Sequence, residues 1–510
     1  MVVSRKLLVA PTQTFQVLVR AQTTAPHVRQ GLKPWTEIPG PTNIPFLGNF
    51  LSVRAPGVEP RAWNFHRLGW HLGDRFQDMC RLEIPLRSPY VFLFTPELCE
   101  KLYRSIGPRP IRPGFSALDH IRRRDPTFTN AKGLLTSQGE EWYQFRKKVQ
   151  RPMLNPMSVL PYHRELQLVA DEFIAKKIHR QLDENSEVPD LFLDDLYKWA
   201  CESVCVIALN QRVGCLEVDL PPESEQLKII NGVSTILKTT ADLDNGIHFW
   251  KYFPSSSFKA FTEACDIFKE TCFKYIHKSL EEIKHKPHTA DADKTLLEQF
   301  HDRGCDEATT VVMALDMIFG GIDTTSHTVA FALYNLAMNP KTQETVFQEI
   351  KSVLPEASSP IPQSIDKLPY LKAVVKETLR VNPAAIANAR TLSDPLELNG
   401  YLLEPGTNVV PFHYYIMNCD RFVEEPKAFK PERWIKGHAE FENIHPFAAL
   451  PFGHGVRMCI GKRFAEYEVQ VMLMKLIRKY RVEWHHEPLG MKIHTLSFPS
   501  KPLRFRFFPR

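Results

Sequence analysis

The chain has 510 residues, of which 43% are hydrophobic, and its formal net charge at pH 7 is +6. Ten cysteines follow neither zinc-site spacing nor a secreted disulfide framework, which excludes a small stapled extracellular fold. A chain of this length could form two to four domains, but no linker, repeat or low-complexity tract divides it. We therefore expect one large domain, and the weak charge suggests no nucleic-acid partner.

Residues 1–36 are basic and contain no acid, since the first acidic residue is Glu37. They are rich in Ser and Thr, and their apolar residues form short patches. This pattern is typical of a mitochondrial transit peptide; a disordered cytosolic tail is the alternative. A membrane-spanning anchor needs about 20 consecutive apolar residues, and residues 1–36 contain no such run. The composition therefore argues against insertion into the endoplasmic reticulum membrane. The segment Ile38-Pro39-Gly40-Pro41 then begins a catalytic body over residues 37–510.

The periodicity of this body predicts a mainly α-helical fold with a small β region. Segments with helical periodicity outnumber the alternating ones, which lie near Leu82–Phe94 and Leu396–Val410. Trp142 and Arg146 are four residues apart, on one face of a predicted helix, and both side chains donate hydrogen bonds.

An aromatic cluster precedes Pro254 and a helical run that starts at Phe258. Its members are Phe249, Trp250, Tyr252 and Phe253. Two readings stay open: the rings pack into the core at a helix start, or they face a membrane.

A long, mostly apolar helix is predicted from Ala314 to Asn335, with an interruption at Gly320–Thr325. Two glycines, an acid and two threonines in mid-helix disfavour helical structure. Such local conflicts tend to mark functional sites. A kinked core helix with a satisfied threonine is the alternative.

Two segments further along combine acids and bases. Glu377 and Arg380 lie three residues apart on one helical face, and Lys372 and Lys376, four residues apart, form a basic ridge on the approach to Glu377. Arg433 follows in the segment Phe429–Trp434. Taken alone, each pair is typical of a solvated helix surface.

The segment 451–461 places Cys459 in a turn between glycines, immediately before a helical sequence. We expect Gly455 and Gly461 to permit positive φ and close approach to a flat cofactor. Backbone N–H groups could then point at the sulfur, as a thiolate that binds haem iron requires. Phe452 could shield that thiolate from water, and Arg457 could pair with a haem propionate. The alternative is a buried structural cysteine.

The pattern FxxGxRxCxG in this segment resembles the haem-binding signature of the cytochrome P450 family, the haem-thiolate monooxygenases. The resemblance extends from about Ile38 to the C-terminus. It implies the cytochrome P450 fold, with haem b buried between a long distal helix and the proximal Cys459 loop.

The resemblance also implies roles for the residues already described. Cys459 would be the axial iron ligand, in a loop that includes Gly461. Asp323 and Thr324 would manage protons during oxygen activation. The propionates would be held by a set of donors on separate segments: Trp142, Arg146, Arg390 and Arg457. A buried structural ion network would be formed by Glu377, Arg380 and Arg433.

The branch of the family is identified as animal mitochondrial and invertebrate-like, from the N-terminal composition and residues such as Met458 and Lys462. In that branch Lys372 and Lys376 would dock an adrenodoxin-type ferredoxin, which receives electrons from its NADPH-dependent reductase. The resemblance places such an enzyme on the matrix side of the inner membrane, in peripheral contact with it.

The implied reaction inserts one oxygen atom of O2 into a lipophilic substrate, either sterol- or ecdysteroid-like or a xenobiotic. The expected pocket walls are apolar: Met313, Met317, Ile318, residues 384–387, Leu496 and Phe498. Two alternatives are a haem-thiolate isomerase or dehydratase that needs no electron donor, and a non-catalytic haem sensor.

Overall fold

The computed structural model of the chain describes residues 31–44, 48–49, 65–84, 87–244, 248–285, 294–354 and 367–510. The transit peptide expected at residues 1–36 lies outside these ranges, except for residues 31–36. Of these, Lys33–Pro34 pair in parallel with a strand of the body, with Lys33 opposite Tyr401. The folded body therefore begins before the boundary expected at residue 37.

The α-helices of the described residues are α1 (Phe65–Phe76), α2 (Pro96–Ser105), α3 (Ser116–Arg122), α4 (Gly133–Thr136), α5 (Gly139–Leu154), α6 (His163–Phe173), α7 (Phe192–Leu209), α8 (Glu225–Asp244), α9 (Ser256–Lys284), α10 (Leu296–Asp302), α11 (Glu307–Met338), α12 (Pro340–Val353), α13 (Pro369–Val381), α14 (His413–Asn418) and α15 (Lys462–Lys479). No helix in the described part of the chain combines the length and apolar character needed to cross a bilayer.

The strands are short and form small sheets. They are β1 (Lys33–Pro34), β2 (Met79–Leu82), β3 (Tyr90–Leu93), β4 (Arg390–Thr391), β5 (Leu396–Leu398), β6 (Tyr401–Leu403), β7 (Asn408–Pro411), β8 (Tyr480–Glu483), β9 (Met491–Ile493), β10 (Ser497–Pro499) and β11 (Arg506–Pro509). The largest sheet has the order β2-β3-β7-β4, and a second sheet has the order β1-β6-β5. The prediction of a mainly α fold with a small β region is confirmed.

Helix α11 runs through the main hydrophobic core, where it packs against α7 and α15. The Asp306 side chain caps its start by accepting a hydrogen bond from the Thr309 N–H at 2.8 Å. The helix is predominantly apolar and buried along most of its length, as expected for a helix in the protein core. It is continuous from Glu307 to Met338, so the interruption predicted at Gly320–Thr325 is wrong. Tertiary packing outweighs the poor helix propensity of that segment.

Candidate functional site

The Cys459 loop is held by its own backbone hydrogen bonds. Gly453 N–H donates to Leu450 O at 2.9 Å, and Cys459 N–H donates to Phe452 O at 2.9 Å. Helix α15 begins three residues after the cysteine. The thiol therefore lies near a helix N-terminus, where the helix dipole favours a negative charge.

The glycines with positive φ in this loop are not the two that were predicted. Gly455 has φ +73° as expected, but Gly461 has φ −83° and needs no left-handed backbone. The second positive φ, +72°, belongs to Gly453. A Cβ atom on Gly461 would meet nothing within 4 Å. The absence of a side chain at Gly461 therefore leaves space beside the thiol rather than permitting a turn.

The Cys459 side chain keeps accessible surface, and desolvation by the surrounding protein raises the pKa of its thiol. A hydrogen bond from the Gly461 N–H and the positive charge of Arg146 act in the opposite direction. A thiolate there would be strongly stabilised by a metal ion.

Helix α11 presents one open stripe in an otherwise buried length. Between residues 309 and 333, the positions that keep accessible surface are Met317, Gly320, Gly321 and Thr324. Their spacing of i, i+3, i+4 and i+7 places them on one face. A Cβ atom on Gly320 would meet nothing within 4 Å. Accessible surface therefore remains along this face, at Gly320 in particular, whereas a Cβ atom on Gly321 would meet Val204 Cγ2 at 2.6 Å.

Three buried arginines from separate segments lack partners for part of their guanidinium groups. Arg146, Arg390 and Arg457 are 4%, 2% and 7% exposed. No hydrogen-bond partner among the described residues reaches Arg146 Nε, Arg390 Nη2, or Arg457 Nε and Nη1. Burial, followed by the charges of Arg112, Arg390 and Arg146, lowers the pKa of Arg457 to about 8. These cations require an anion that the described side chains do not supply.

Arg112 lies beside these three arginines, and the sequence reasoning missed it. Burial and the charge of Arg390 lower the pKa of Arg112 to about 10. Its neighbour Ile111 forms a β-bridge with Thr391, which brings Arg112 beside Arg390. The sequence feature that could have drawn attention to Arg112 is its position between Pro110 and Pro113, which restrict the local backbone.

The remaining predicted propionate donor, Trp142, lies within the same cluster. It is 2% exposed, and the Arg457 guanidinium lies 4.5 Å from its ring centroid. Arg146 Nη2 donates to Met458 O at 3.0 Å, which joins α5 to the cysteine loop. The two propionates of haem b carry the charge and the acceptor oxygens that this cluster lacks, so the residues fit that group.

Glu377 lies at the centre of a buried ion network. Its carboxylate pairs with Arg380 Nη2 at 2.8 Å and with Arg433 Nε at 3.1 Å. It also accepts hydrogen bonds from Trp434 Nε1 at 2.9 Å and from Lys430 N–H at 3.0 Å. Glu377 and Arg380 are 0% exposed and Arg433 is 2% exposed. The structure therefore brings the three predicted residues together.

Asp323 and Thr324 lie on different faces of α11. Asp323 is 6% exposed, and its Oδ1 has no hydrogen-bond partner among the described residues. Burial raises the pKa of its carboxyl group to about 7. Thr324 borders the open stripe, and its hydroxyl donates to Gly320 O at 2.7 Å. A buried acid that titrates near neutral pH is suited to proton transfer.

The basic residues on α13 and α15 form one surface beside the cysteine loop. Glu466 lies within this surface, and its charge also acts on Cys459. Burial raises the pKa of the Glu466 carboxyl group, and four neighbouring cations lower it by a smaller amount. These cations are Lys462, Arg463, Lys372 and Lys376. We call this group the proximal basic surface; it carries an excess of positive charge.

The expected substrate-pocket residues are only partly placed at open positions. Met313 and Ile318 are 1% and 0% exposed, so their assignment to the pocket wall is wrong; neighbouring side chains cover them. Met317, Leu496 and Phe498 keep accessible surface, as do three of the residues at 384–387.

The aromatic cluster divides in two. Trp250 is buried and its Nε1 donates to Leu243 O at 2.9 Å. The other rings are exposed by 60%, 75% and 75%: Phe249, Tyr252 and Phe253. Of the two interpretations left open, core packing therefore applies to Trp250 alone among the four rings.

Comparisons with known proteins match this chain over nearly its whole length. The family described as Cytochrome P450 matches residues 38–507. "Probable cytochrome P450 301a1, mitochondrial" from Drosophila melanogaster is 33% identical over 95% of this chain and 90% of its own length. "Probable cytochrome P450 12c1, mitochondrial" from the same organism is 32% identical, covering 94% and 92%. "1,25-dihydroxyvitamin D(3) 24-hydroxylase, mitochondrial" from Rattus norvegicus is 29% identical, covering 93% and 89%.

Proposed function

We propose that this chain, which belongs to the cytochrome P450 family of haem-thiolate monooxygenases, acts in the mitochondrion on a bulky lipophilic substrate with electrons from a ferredoxin. The observation that carries the proposal is the cluster of four arginines next to the Cys459 loop, three of which keep guanidinium nitrogens without a partner among the described residues. Haem, when bound there, supplies the iron at which dioxygen is reduced and one oxygen atom is transferred.

The residues around this loop would hold the cofactor in a fixed orientation. Cys459 would provide the sulfur ligand, and a hydrogen bond from the Gly461 N–H lowers the basicity of that sulfur. Arg112, Arg146, Arg390 and Arg457 would neutralise the propionates, and the indole N–H of Trp142 would donate a hydrogen bond to them. Glu377, Arg380 and Arg433 would have a structural role, since they pair with one another in a buried ion network.

Thr324 and Asp323 would deliver protons on the distal side. The Thr324 hydroxyl lies on the open face, where it can donate to an oxygen atom, while Asp323 holds a proton at near-neutral pH. We expect Thr324→Ala to uncouple the enzyme, so that NADPH and oxygen are consumed but peroxide replaces product. Thr310→Ala is the matched control, since Thr310 is buried in α11 and also bonds to the carbonyl one turn earlier. Equal coupling in the two variants would remove Thr324 from the mechanism.

The ferredoxin would dock on the proximal basic surface. This surface lies next to the loop of the iron ligand, so an acidic donor there has a short path for electrons. We expect Lys372→Glu/Lys376→Glu to weaken ferredoxin binding and to slow the first reduction, with the effect shrinking as salt is added. A charge-matched control is Lys259→Glu/Lys278→Glu on the exposed part of α9. Equal reduction rates in both double variants would contradict docking here.

The substrate proposed is a sterol-like or ecdysteroid-like molecule or a lipophilic xenobiotic. The accessible positions near the stripe are small or apolar, and one relative is named for hydroxylation of a vitamin D derivative. The test is a titration of the ferric protein with such compounds, followed by the Soret band. A tight shift with one sterol supports a biosynthetic enzyme, and weak shifts with unrelated compounds support detoxification.

The mitochondrial location rests on the names of the relatives and on the composition of residues 1–30, which lie outside the described part. The targeting segment would end before Lys33, because that residue belongs to β1. Import of the full chain into isolated mitochondria, with and without residues 1–30, tests this proposal. Import that does not depend on those residues would contradict it.

A further inference from the structure

Lys376 on α13 has no ion-pair partner within the part of the chain that the structure describes. The residue is exposed, and the carboxylate of Glu466 acts on it only through its longer-range charge. Lys462, its neighbour on the proximal basic surface, differs, since its Nζ lies 3.8 Å from Glu466 Oε1. The charge of Lys376 therefore remains available to an acidic partner.

The indole of Trp434 holds this ammonium group in place. Lys376 Nζ lies 3.9 Å from the centroid of the Trp434 ring, well within the ~6 Å over which an aromatic face attracts a cation. Trp434 ends the short helical turn Pro431–Trp434, which packs against α13. The contact therefore depends on the packing of two separate segments beside the cysteine loop.

The indole is itself fixed by the buried ion network. Trp434 Nε1 donates to Glu377 Oε2 at 2.9 Å, and Glu377 is 0% exposed. One edge of the ring is thus bound to a buried carboxylate, while its face lies against an exposed lysine. Because Lys376 and Glu377 are adjacent on α13, the two contacts together restrict both the ring and the lysine side chain.

The restriction matters because of the charges nearby. Burial against its surroundings, followed by the charge of Lys462, lowers the pKa of Lys376. Lys462 is held in a similar way, with its Nζ 5.5 Å from the centroid of the Phe452 ring in the cysteine loop. The rings thus keep two cations close enough to repel each other, and an acidic group that arrives at this surface is attracted by both.

We propose that Trp434 is a positioning residue for ferredoxin docking, because its ring face holds the Lys376 ammonium group ready for a carboxylate of the ferredoxin. The inference rests on the proposed docking at the proximal basic surface. A lysine that is already ordered loses less conformational freedom when the complex forms, so the complex is tighter. Trp434 then has two separable functions: its N–H stabilises the Glu377 network, and its ring face orients Lys376.

Replacements of Trp434 separate these functions in the haem-loaded protein, with an adrenodoxin-type ferredoxin as the probe. Trp434→Leu removes both the N–H and the ring, and we expect the Kd of the complex at low salt to rise about two- to fivefold, as for one exposed cation–π contact. Trp434→Phe keeps a ring but no N–H donor. We expect it to unfold at lower urea concentration than wild type, with a Kd closer to wild type than that of Trp434→Leu.

A tryptophan fluorinated on its six-membered ring, incorporated at position 434, keeps the shape and the N–H donor but attracts a cation less strongly. We expect this protein to bind ferredoxin more weakly than wild type without losing stability to urea. It also provides the answer if Trp434→Leu does not retain haem.

A double-mutant cycle with Lys376→Met shows whether Trp434 acts through the lysine. In the Lys376→Met background, Trp434→Leu should leave the Kd for ferredoxin unchanged. Trp484→Leu is the matched control. Trp484 is also half-buried and its Nε1 donates to Glu487 O at 3.1 Å, but no described lysine lies over its ring. We expect this control to bind ferredoxin as wild type does.

Two outcomes overturn the inference: a wild-type Kd in the fluorinated protein, or a rise in Kd on Trp434→Leu that is equally large with and without Lys376. The docking proposal fails separately. If Lys372→Glu/Lys376→Glu is reduced as fast as its charge-matched control, the ferredoxin does not dock here and Trp434 has no such role. If that double variant is slowed but the fluorinated protein binds normally, docking stands and only the role of Trp434 is refuted.

Discussion

Replacing Glu377 by Gln should strongly destabilise the protein, because one carboxylate accepts five buried hydrogen bonds. Oε1 accepts from Arg380 Nη2, Lys430 N–H and Arg433 Nε at 2.8, 3.0 and 3.1 Å. Oε2 accepts from Arg380 Nε and Trp434 Nε1, each at 2.9 Å. Glutamine has nearly the same shape but only one acceptor oxygen.

The size of the loss in unfolding free energy follows from the hydrogen bonds that glutamine cannot accept. With the amide oxygen in the Oε1 position, the NH2 group faces two N–H donors, from Arg380 and Trp434. Each buried donor left without a partner costs about 1–3 kcal/mol. Loss of the charge also leaves two buried guanidinium groups less well paired, and breaking such a network costs about 3–5 kcal/mol in total. This corresponds to a hundredfold or more in the ratio of folded to unfolded protein.

Urea unfolding of the haem-loaded protein, followed by tryptophan fluorescence and haem absorbance, measures this loss. Glu442→Gln is the matched control, because Glu442 pairs with Arg433 but is 19% exposed. We expect the control to lose about 1–2 kcal/mol. The reasoning is refuted if the two variants unfold at the same urea concentration.

Three further predictions concern other groups. Glu468→Gln should gain stability relative to wild type as pH rises from about 4.5 to 8, by on the order of 5 kcal/mol, because the buried carboxyl group keeps its proton up to about pH 8 while the unfolded one loses it near 4.5; urea midpoints across this range measure it. Arg457→Gln should release haem about 10–100 times faster, since bonds to a charged group contribute roughly 1.5–3 kcal/mol; transfer of haem to apomyoglobin gives the rate. Phe249→Ser/Phe253→Ser should weaken binding to cardiolipin-containing vesicles at least about tenfold, because each ring buries apolar area worth roughly 1.5–3 kcal/mol; co-sedimentation measures it.

Each of these has an outcome that contradicts it. A stability difference between Glu468→Gln and wild type that does not change with pH would show that the carboxyl group titrates normally. Arg151 is exposed on α5, and Arg151→Gln losing haem as fast as Arg457→Gln would remove the specific role of Arg457. Leu191 is 66% exposed, and an equal loss of vesicle binding in Leu191→Ser would indicate general surface hydrophobicity.

The sequence alone determined the features that depend on residues close in the chain. The Cys459 turn, the ion pair of Glu377 with Arg380 and the shared helical face of Trp142 and Arg146 all follow from short spacings, because helix and turn geometry are local. The class of fold followed from periodicity for the same reason. The exact role of a glycine did not follow: Gly453, not Gly461, has the second positive φ, and a backbone angle depends on how the loop is packed.

Only the tertiary structure decided which distant residues meet. The convergence of Arg112 with Arg390, and the contact of Lys376 with Trp434, join segments far apart in the chain. Likewise, only the structure shows that Trp250 is buried whereas Phe253 is exposed. These arrangements are set by long-range packing of helices and sheets around one core, which no local pattern encodes. Packing also shifts the pKa of Asp323, because desolvation depends on everything that surrounds the group rather than on its neighbours in sequence.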